Sequence, residues 1–325
     1  MMPILLAGCE GSPTQHHQRD MYLPAARRAG LDVVGIWVPA DAATEHLDRA
    51  RTLASDAGLP LLTGSTPDVT GVCGVIACLR GEARLQTLRV SADAGVPVLL
   101  DKPTLEDTAA LRALAEVAPE AIVLPGHHLR FHESVEALHH AVRAGKFGLL
   151  RAVHADLVVA GGDGPSSDGE LRNLVVYLLD VLRLMIGRAE TVVSAVGQPA
   201  GAGAGEAWTV LARTDREVIA SLHLSRASQG PPAILEAGLR VLGSHGSAVA
   251  DLTAPSVAVR TPSGTRRAPI GPTSVDALVR TFRRLAVSPL ARGELAPLDD
   301  LVVLSVALDD LERSAREGRE VASRW

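Results

Sequence analysis

Asn173, Tyr177 and Asp180 recur at i, i+4 and i+7 along the otherwise apolar residues 171–186. On an α-helix that spacing places an amide, a phenol and a carboxylate on one face. A helix apolar at most other positions is buried nearly all round, and each unpartnered polar group there costs about 1–3 kcal/mol. The stripe therefore lines a cleft or belongs to a buried polar network, and the residues alone leave both readings open. A second chemistry-bearing group is Asp101-Lys102-Pro103, which ends the apolar run 96–100. A charge pair and a proline at the carboxyl end of a buried strand stand where open α/β sheets place their ligands. His127 and His128 follow another short apolar run, 121–124, and Gly126, which makes them candidates for lining a pocket.

A glycine turn follows the first apolar run, Ile4-Leu5-Leu6-Ala7. Dinucleotide binding wants glycines between strand and helix, so that the backbone can approach a pyrophosphate at the helix start. Here the spacing is Gly8-x-x-Gly11, with Glu10 where a second glycine would sit. A carboxylate there repels a pyrophosphate. The second strand ends Trp37-Val38-Pro39, without the acid that usually receives a ribose hydroxyl and without a following arginine for a 2′-phosphate. NAD and NADP are not distinguishable on these residues. Of the histidines at 16, 17, 127, 128, 132, 139 and 140 only His128 and His132 stand at i and i+4, on a strand-to-helix turn, so no metal is expected.

These residues need strands and helices to hold them. Strands at 4–7, 33–38, 61–62, 72–79, 96–100 and 121–124 alternate with helices at 21–29, 43–57, 85–94 and 104–117. Such alternation predicts a doubly wound parallel sheet. The pattern then changes to helices at 133–144 and 171–186, strands at 151–159, 191–196, 208–213, 218–224, 238–242, 248–252 and 257–260, and helices at 274–285 and 299–316. The fold class expected is α/β: an N-terminal Rossmann-type domain over 1–124 and a C-terminal α+β domain over 125–325 with a large, mostly antiparallel sheet.

Bulk properties narrow the function. The 325 residues suffice for two domains, and 47% hydrophobic content excludes disordered and fibrous classes. A net charge of −5 with scattered basic residues, and aromatics at only 2%, argue against nucleic acid as a partner. No apolar run approaches the roughly 18 residues of a membrane span. Cys9, Cys73 and Cys78 have no disulfide or metal spacing, which suits a reducing cytoplasm. Leu6-Ala7-Gly8-Cys9 is similar to a lipoprotein cleavage site, but lacks a preceding basic residue and a long enough apolar core, and is read as a strand.

In order and spacing these segments resemble the glucose-fructose oxidoreductase/inositol dehydrogenase/rhizopine-catabolism (Gfo/Idh/MocA) family. Asp101-Lys102-Pro103 is similar to its Glu-Lys-Pro motif, whose lysine contacts substrate and nicotinamide. Gly126-His-His-Leu-Arg-Phe131 is similar to its glycine-x-asparagine-x-arginine-phenylalanine segment, and 171–180 to the helix reading Asp-x-Gly-x-His-x-x-Asp. Tyr177 stands where the family's histidine usually is, as in the branch of glucose-fructose oxidoreductase. Asn173 replaces the helix's first aspartate and Val175 its glycine. Cys78-Leu-Arg-Gly-Glu82 replaces a Thr-Pro-x-x-x-His segment.

The resemblance implies a cytoplasmic NAD- or NADP-dependent oxidoreductase acting on a carbinol or carbonyl carbon of a sugar-like or polyol-like small molecule. It implies Lys102, Tyr177 and Asp180 as catalytic residues, with Lys102 stabilising alkoxide charge and Tyr177 exchanging the proton. Substrate contacts fall to Asn173, His127, His128 and Arg130. Cofactor contacts fall to Gly8, Glu10, Gly11, Trp37, Val38, Cys78, Leu79, Asp101, Lys102 and Pro103. A homodimer or homotetramer is expected, with neither nucleic acid nor membrane as partner. Because the departures cluster on the cofactor side, the alternative is a degenerate member that binds nucleotide weakly or not at all, a scaffold or a non-redox lyase or isomerase.

Overall fold

The computed structural model describes residues 2–10, 16–102, 108–119, 121–160, 169–198, 206–227, 233–253, 256–268, 273–288 and 298–325. They divide into two compact units, Met1–Gly126 with Val275–Val302, and His127–Ser274 with Val303–Trp325.

The first unit is built on six short strands: β1 (Met2–Ala7), β2 (Leu31–Pro39), β3 (Leu61–Gly64), β4 (Gly74–Ala77), β5 (Val98–Leu100) and β6 (Val123–Pro125). They pair only in parallel, in the order β3-β2-β1-β4-β5-β6. This is the doubly wound sheet expected from the sequence. The central strands are buried at nearly every position, as parallel strands covered on both faces must be. Helices α1 (Leu23–Arg28), α2 (Thr44–Ala57), α3 (Gly81–Asp93) and α4 (Thr108–Val117) make the crossovers. A π turn over Gln18–Tyr22 leads into α1. Chain order reverses between β1 and β4, so the loops after these two strands flank the crevice where such sheets bind ligands.

The second unit begins with α5 (Glu133–Arg143) and β7 (Leu150–Ala160). A π turn over Leu171–Val175 opens α6 (Val176–Ile186), so the stretch expected as one α-helix has two geometries. Strands β8 (Glu190–Gln198), β9 (Ala207–Thr214), β10 (Ile219–Ala227), β11 (Ala233–Gly243), β12 (Gly246–Asp251), β13 (Ser256–Thr261), β14 (Gly264–Ala268) and β15 (Val321–Arg324) complete a nine-stranded sheet with β7. All its pairings are antiparallel except β7 with β10. One face packs on α6, whose Leu178, Leu179, Val181 and Leu182 are fully buried. Each such side chain contributes about 1.5–3 kcal/mol.

The remaining helices are α7 (Ser274–Val287) and α8 (Leu298–Glu317). Residues 275–302, expected within a 125–325 domain, group with the first unit. There Arg28 pairs with Asp276 at 2.7 Å. Phe282 lies over Gly74, where a Cβ would meet its Cζ at 2.6 Å. Amphipathic periodicity shows that a helix has a partner, not which one.

Candidate active site

In the first unit the candidate residues lie at strand ends. Gly8, directly after β1, has φ +75°, and a Cβ there would come within 2.3 Å of the Cys78 carbonyl oxygen. Only glycine fits, because the position is both left-handed and in close backbone contact. The Glu10 N–H donates to the same carbonyl at 3.0 Å, tying the turn after β1 to the end of β4. Gln18 Nε2 donates to the Ile76 carbonyl at 2.9 Å from the opening of the first helix. A cavity of about 420 Å³ opens beside this turn, lined by Cys9, Glu10, His16, His17, Arg49 and other residues from the turn, the π turn and α2. Burial pushes the Glu10 carboxyl above its ordinary value, with His46, a backbone bond, Arg84 and Arg80 opposing. Burial also pushes the Cys9 thiol up to about 12, against Arg49. Cys9 is therefore a thiol and not a nucleophile at neutral pH.

Trp37 and Val38, at the end of β2, are 2% and 1% exposed, and Leu79 is 2% exposed. Their side chains are core, which leaves their backbone as the part able to meet a ligand. Gly11 and Pro103 lie outside the described residues.

Asp101, just beyond β5, is buried, and both of its oxygens are engaged. Tyr22 Oη donates to Oδ1 at 2.6 Å, and His17 Nδ1 lies 2.7 Å from Oδ2. Burial raises this carboxyl, but His17, Tyr22 and Lys102 more than offset it and hold it below the usual carboxylate range. Lys102 itself is half-buried. His17 and Tyr22 were not anticipated in this role. The only sequence signal was their position in the first helix after the glycine turn.

In the second unit α6, the 3₁₀ turn His128–Phe131 and the residue before it bring five of the anticipated side chains together. Asp180 is 1% exposed, with Arg130 Nε at 3.3 Å and His127 Nδ1 at 3.6 Å from its Oδ2. Neither Asp180 oxygen completes a hydrogen bond among the described residues. Burial raises its carboxyl, but Arg130, His127 and Arg183 outweigh that and hold it below the ordinary value. The Tyr177 ring meets His127 edge-on at 5.7 Å and His128 at 5.0 Å between centroids. His128 Nδ1 is 2.9 Å from Ser274 Oγ. Asn173 takes a different place: its amide donates to Glu170 Oε2 at 3.0 Å. Glu170 is fully buried and pairs with Arg226 at 2.7 Å, while Glu206 accepts from the Glu170 N–H and the Trp208 indole. That network was not foreseen, since its members come from three separate elements.

A buried carboxylate with two open acceptor atoms, beside an imidazole, a guanidinium and a phenol, can receive hydroxyl donors and take part in proton exchange. Among the described residues no group of three His, Cys, Asp or Glu side chains could hold a metal. Among the described residues, too, no helix is long and apolar enough to cross a membrane.

Residues 135–249 match the model of the GFO/IDH/MocA C-terminal domain. Over these residues the chain is similar to that domain. Solved structures share the fold over nearly the whole length. A myo-inositol dehydrogenase from Corynebacterium glutamicum is 20% identical over 99% of this chain and 98% of its own, with TM-score 0.72. An oxidoreductase from Agrobacterium radiobacter, solved with NAD+, L-tartaric acid and magnesium, is 15% identical over 98% of each chain, with TM-score 0.77. An oxidoreductase domain protein from Kribbella flavida is 17% identical over 99% of each chain, with TM-score 0.78. No curated protein sequence matches the chain. Within the matched stretch Tyr177 sits against two imidazoles, and Asp180 against Arg130.

Proposed function

We propose that the protein is an NAD- or NADP-dependent oxidoreductase that moves hydride between nicotinamide and the carbinol carbon of a polyhydroxylated small molecule. The buried Asp180–Arg130–His127 group beside Tyr177 carries this reading, because it presents acceptors and a phenol where hydroxyls could be held. The parallel sheet, its switch point and the Gly8 cradle support a dinucleotide at the strand ends, with bound nicotinamide supplying the hydride acceptor or donor. Glu10 alone among these features opposes a pyrophosphate.

Lys102 is assigned to the developing alkoxide, where an ammonium contributes several kcal/mol in a dry site. Tyr177 exchanges the hydroxyl proton, while Asp180, His127, His128 and Arg130 orient the other hydroxyls. Asn173 acts through its bond to Glu170. A homo-oligomer and a cytoplasmic location belong to the same reading. The NAD-bound relative and the inositol dehydrogenase are the parallels that favour it.

The test is a titration with NADH and NADPH, followed by fluorescence and melting temperature. Either nucleotide at 100 times its dissociation constant should stabilise by about 2.7 kcal/mol. No response to either would leave only a non-redox protein with this fold. With a polyol that supports turnover in hand, Lys102→Ala should abolish activity in a protein that still melts cooperatively.

A further inference from the structure

We propose that Asp101 and His17 are positioning residues for Lys102: a buried pair behind the strand end that fixes the ammonium and its charge, not a pair of nucleotide ligands. The proposal rests on the role given to Lys102 above. Both Asp101 oxygens are spent inside the unit, one on Tyr22 and one on His17, and the residue is 3% exposed. Such a carboxylate has little left to offer a ribose hydroxyl. Its charge, however, acts on the next residue in the chain. Lys102 is among the groups that keep Asp101 ionised, and the coupling of two charges is reciprocal.

The groups facing Asp101 are His17 and Tyr22 from the first helix, Cys78 from the end of β4, and Lys102. The Cys78 thiol is raised first by burial and then by Asp101, so it stays neutral and adds no competing charge. Gly126 leaves the room this arrangement needs, because a Cβ there would lie 2.8 Å from Tyr22 Oη and 3.2 Å from Asp101 Cα. His17 faces two ways: it bonds Asp101 and also lines the cavity beside Glu10.

Composition points the same way. Of the 32 Lys and Arg residues only two are lysines, Lys102 and Lys146. A chain that uses arginine almost everywhere keeps, beside Asp101, the one cation whose proton the surroundings can tune.

Two lysines make the test direct. In protein labelled with [ε-¹³C]lysine, NMR shows two ε-methylene signals, and Lys146→Arg assigns that of Lys102 without nucleotide or substrate. Asp101→Asn should lower the Lys102 titration midpoint by about one pH unit, the low end for losing a neighbouring opposite charge, since Lys102 is half exposed. NADH affinity should stay within about twofold, taken as negligible against the tenfold that 1.4 kcal/mol represents. An unmoved midpoint, or an NADH affinity that falls by much more than twofold, overturns the proposal.

If Asp101→Asn does not fold, His17→Gln decides: removing the imidazole bonded to Asp101 should move the Lys102 midpoint, and an unmoved midpoint in that variant also overturns the proposal. Failure of NADH to bind would instead remove the redox reading and leave this coupling as measured.

Discussion

Glu10 stands on the turn after β1, where its carboxylate opposes a dinucleotide. Burial raises its folded-state pKa, so folding favours the protonated form. The sign follows from linkage: its contribution is fully present below the unfolded value, about 4.3, and is lost as pH rises through the folded one. Glu10→Gln should therefore raise the melting temperature at pH 7 relative to wild type, with the difference closing near pH 4. It should also tighten NADH binding, by removing a charge beside the proposed pyrophosphate position. An unchanged NADH dissociation constant would place the phosphates away from this turn. At this scale the sequence was informative where a residue type was out of keeping with its surroundings: Lys102 at the end of an apolar run, or Tyr177 and Asp180 on an apolar helix. It was silent on partners. Tyr22 reads as one more core aromatic, and its phenol's bond to Asp101 depends on a meeting across 79 residues.

The elements hold the site by stranding few charges and bonding the rest. Asp180, on buried α6, has Arg130 as its nearest cation at 3.3 Å. Arg130→Ala should cost about 3 kcal/mol, the low end for exposing a buried charge to no partner, because His127 remains close. Adding Asp180→Asn should recover most of that loss in a denaturant titration. If the double variant is as unstable as the single one, Arg130 contributes packing instead. Elements with strong periodicity or continuous apolar runs were legible: the six parallel strands and the long helices appear within a few residues of expectation. The π turns before α1 and α6 were not, since a single extra residue per turn leaves no compositional trace. Neither were β14, whose Gly264-Thr-Arg-Arg-Ala268 is too polar for a strand pattern, and β15, only four residues long.

At the scale of the molecule, one face of the nine-stranded sheet exposes apolar side chains among the described residues. Val196, Leu211, Ile219 and Leu242 share that face by register and are 71%, 54%, 51% and 37% exposed. A second copy of the chain is the proposed cover. Leu211→Glu should halve or quarter the sedimenting mass without lowering the monomer's stability by more than about 0.5 kcal/mol, as for other surface changes. A wild type that sediments as a monomer would refute the proposed self-association. The two-domain reading was legible as a change of pattern near residue 125, but the return of Val275–Val302 to the first unit was not. That return governs the order of events during synthesis. β7, in the middle of its sheet, takes β10 and β11 as neighbours, both encoded well downstream. The first unit in turn lacks Asp276 and Phe282 until almost the whole chain has left the ribosome. The first unit therefore waits for Val275–Val302 and the second for Val303–Trp325, and until β10 and β11 are made β7 presents open edges, a period in which chaperone capture or aggregation competes with folding.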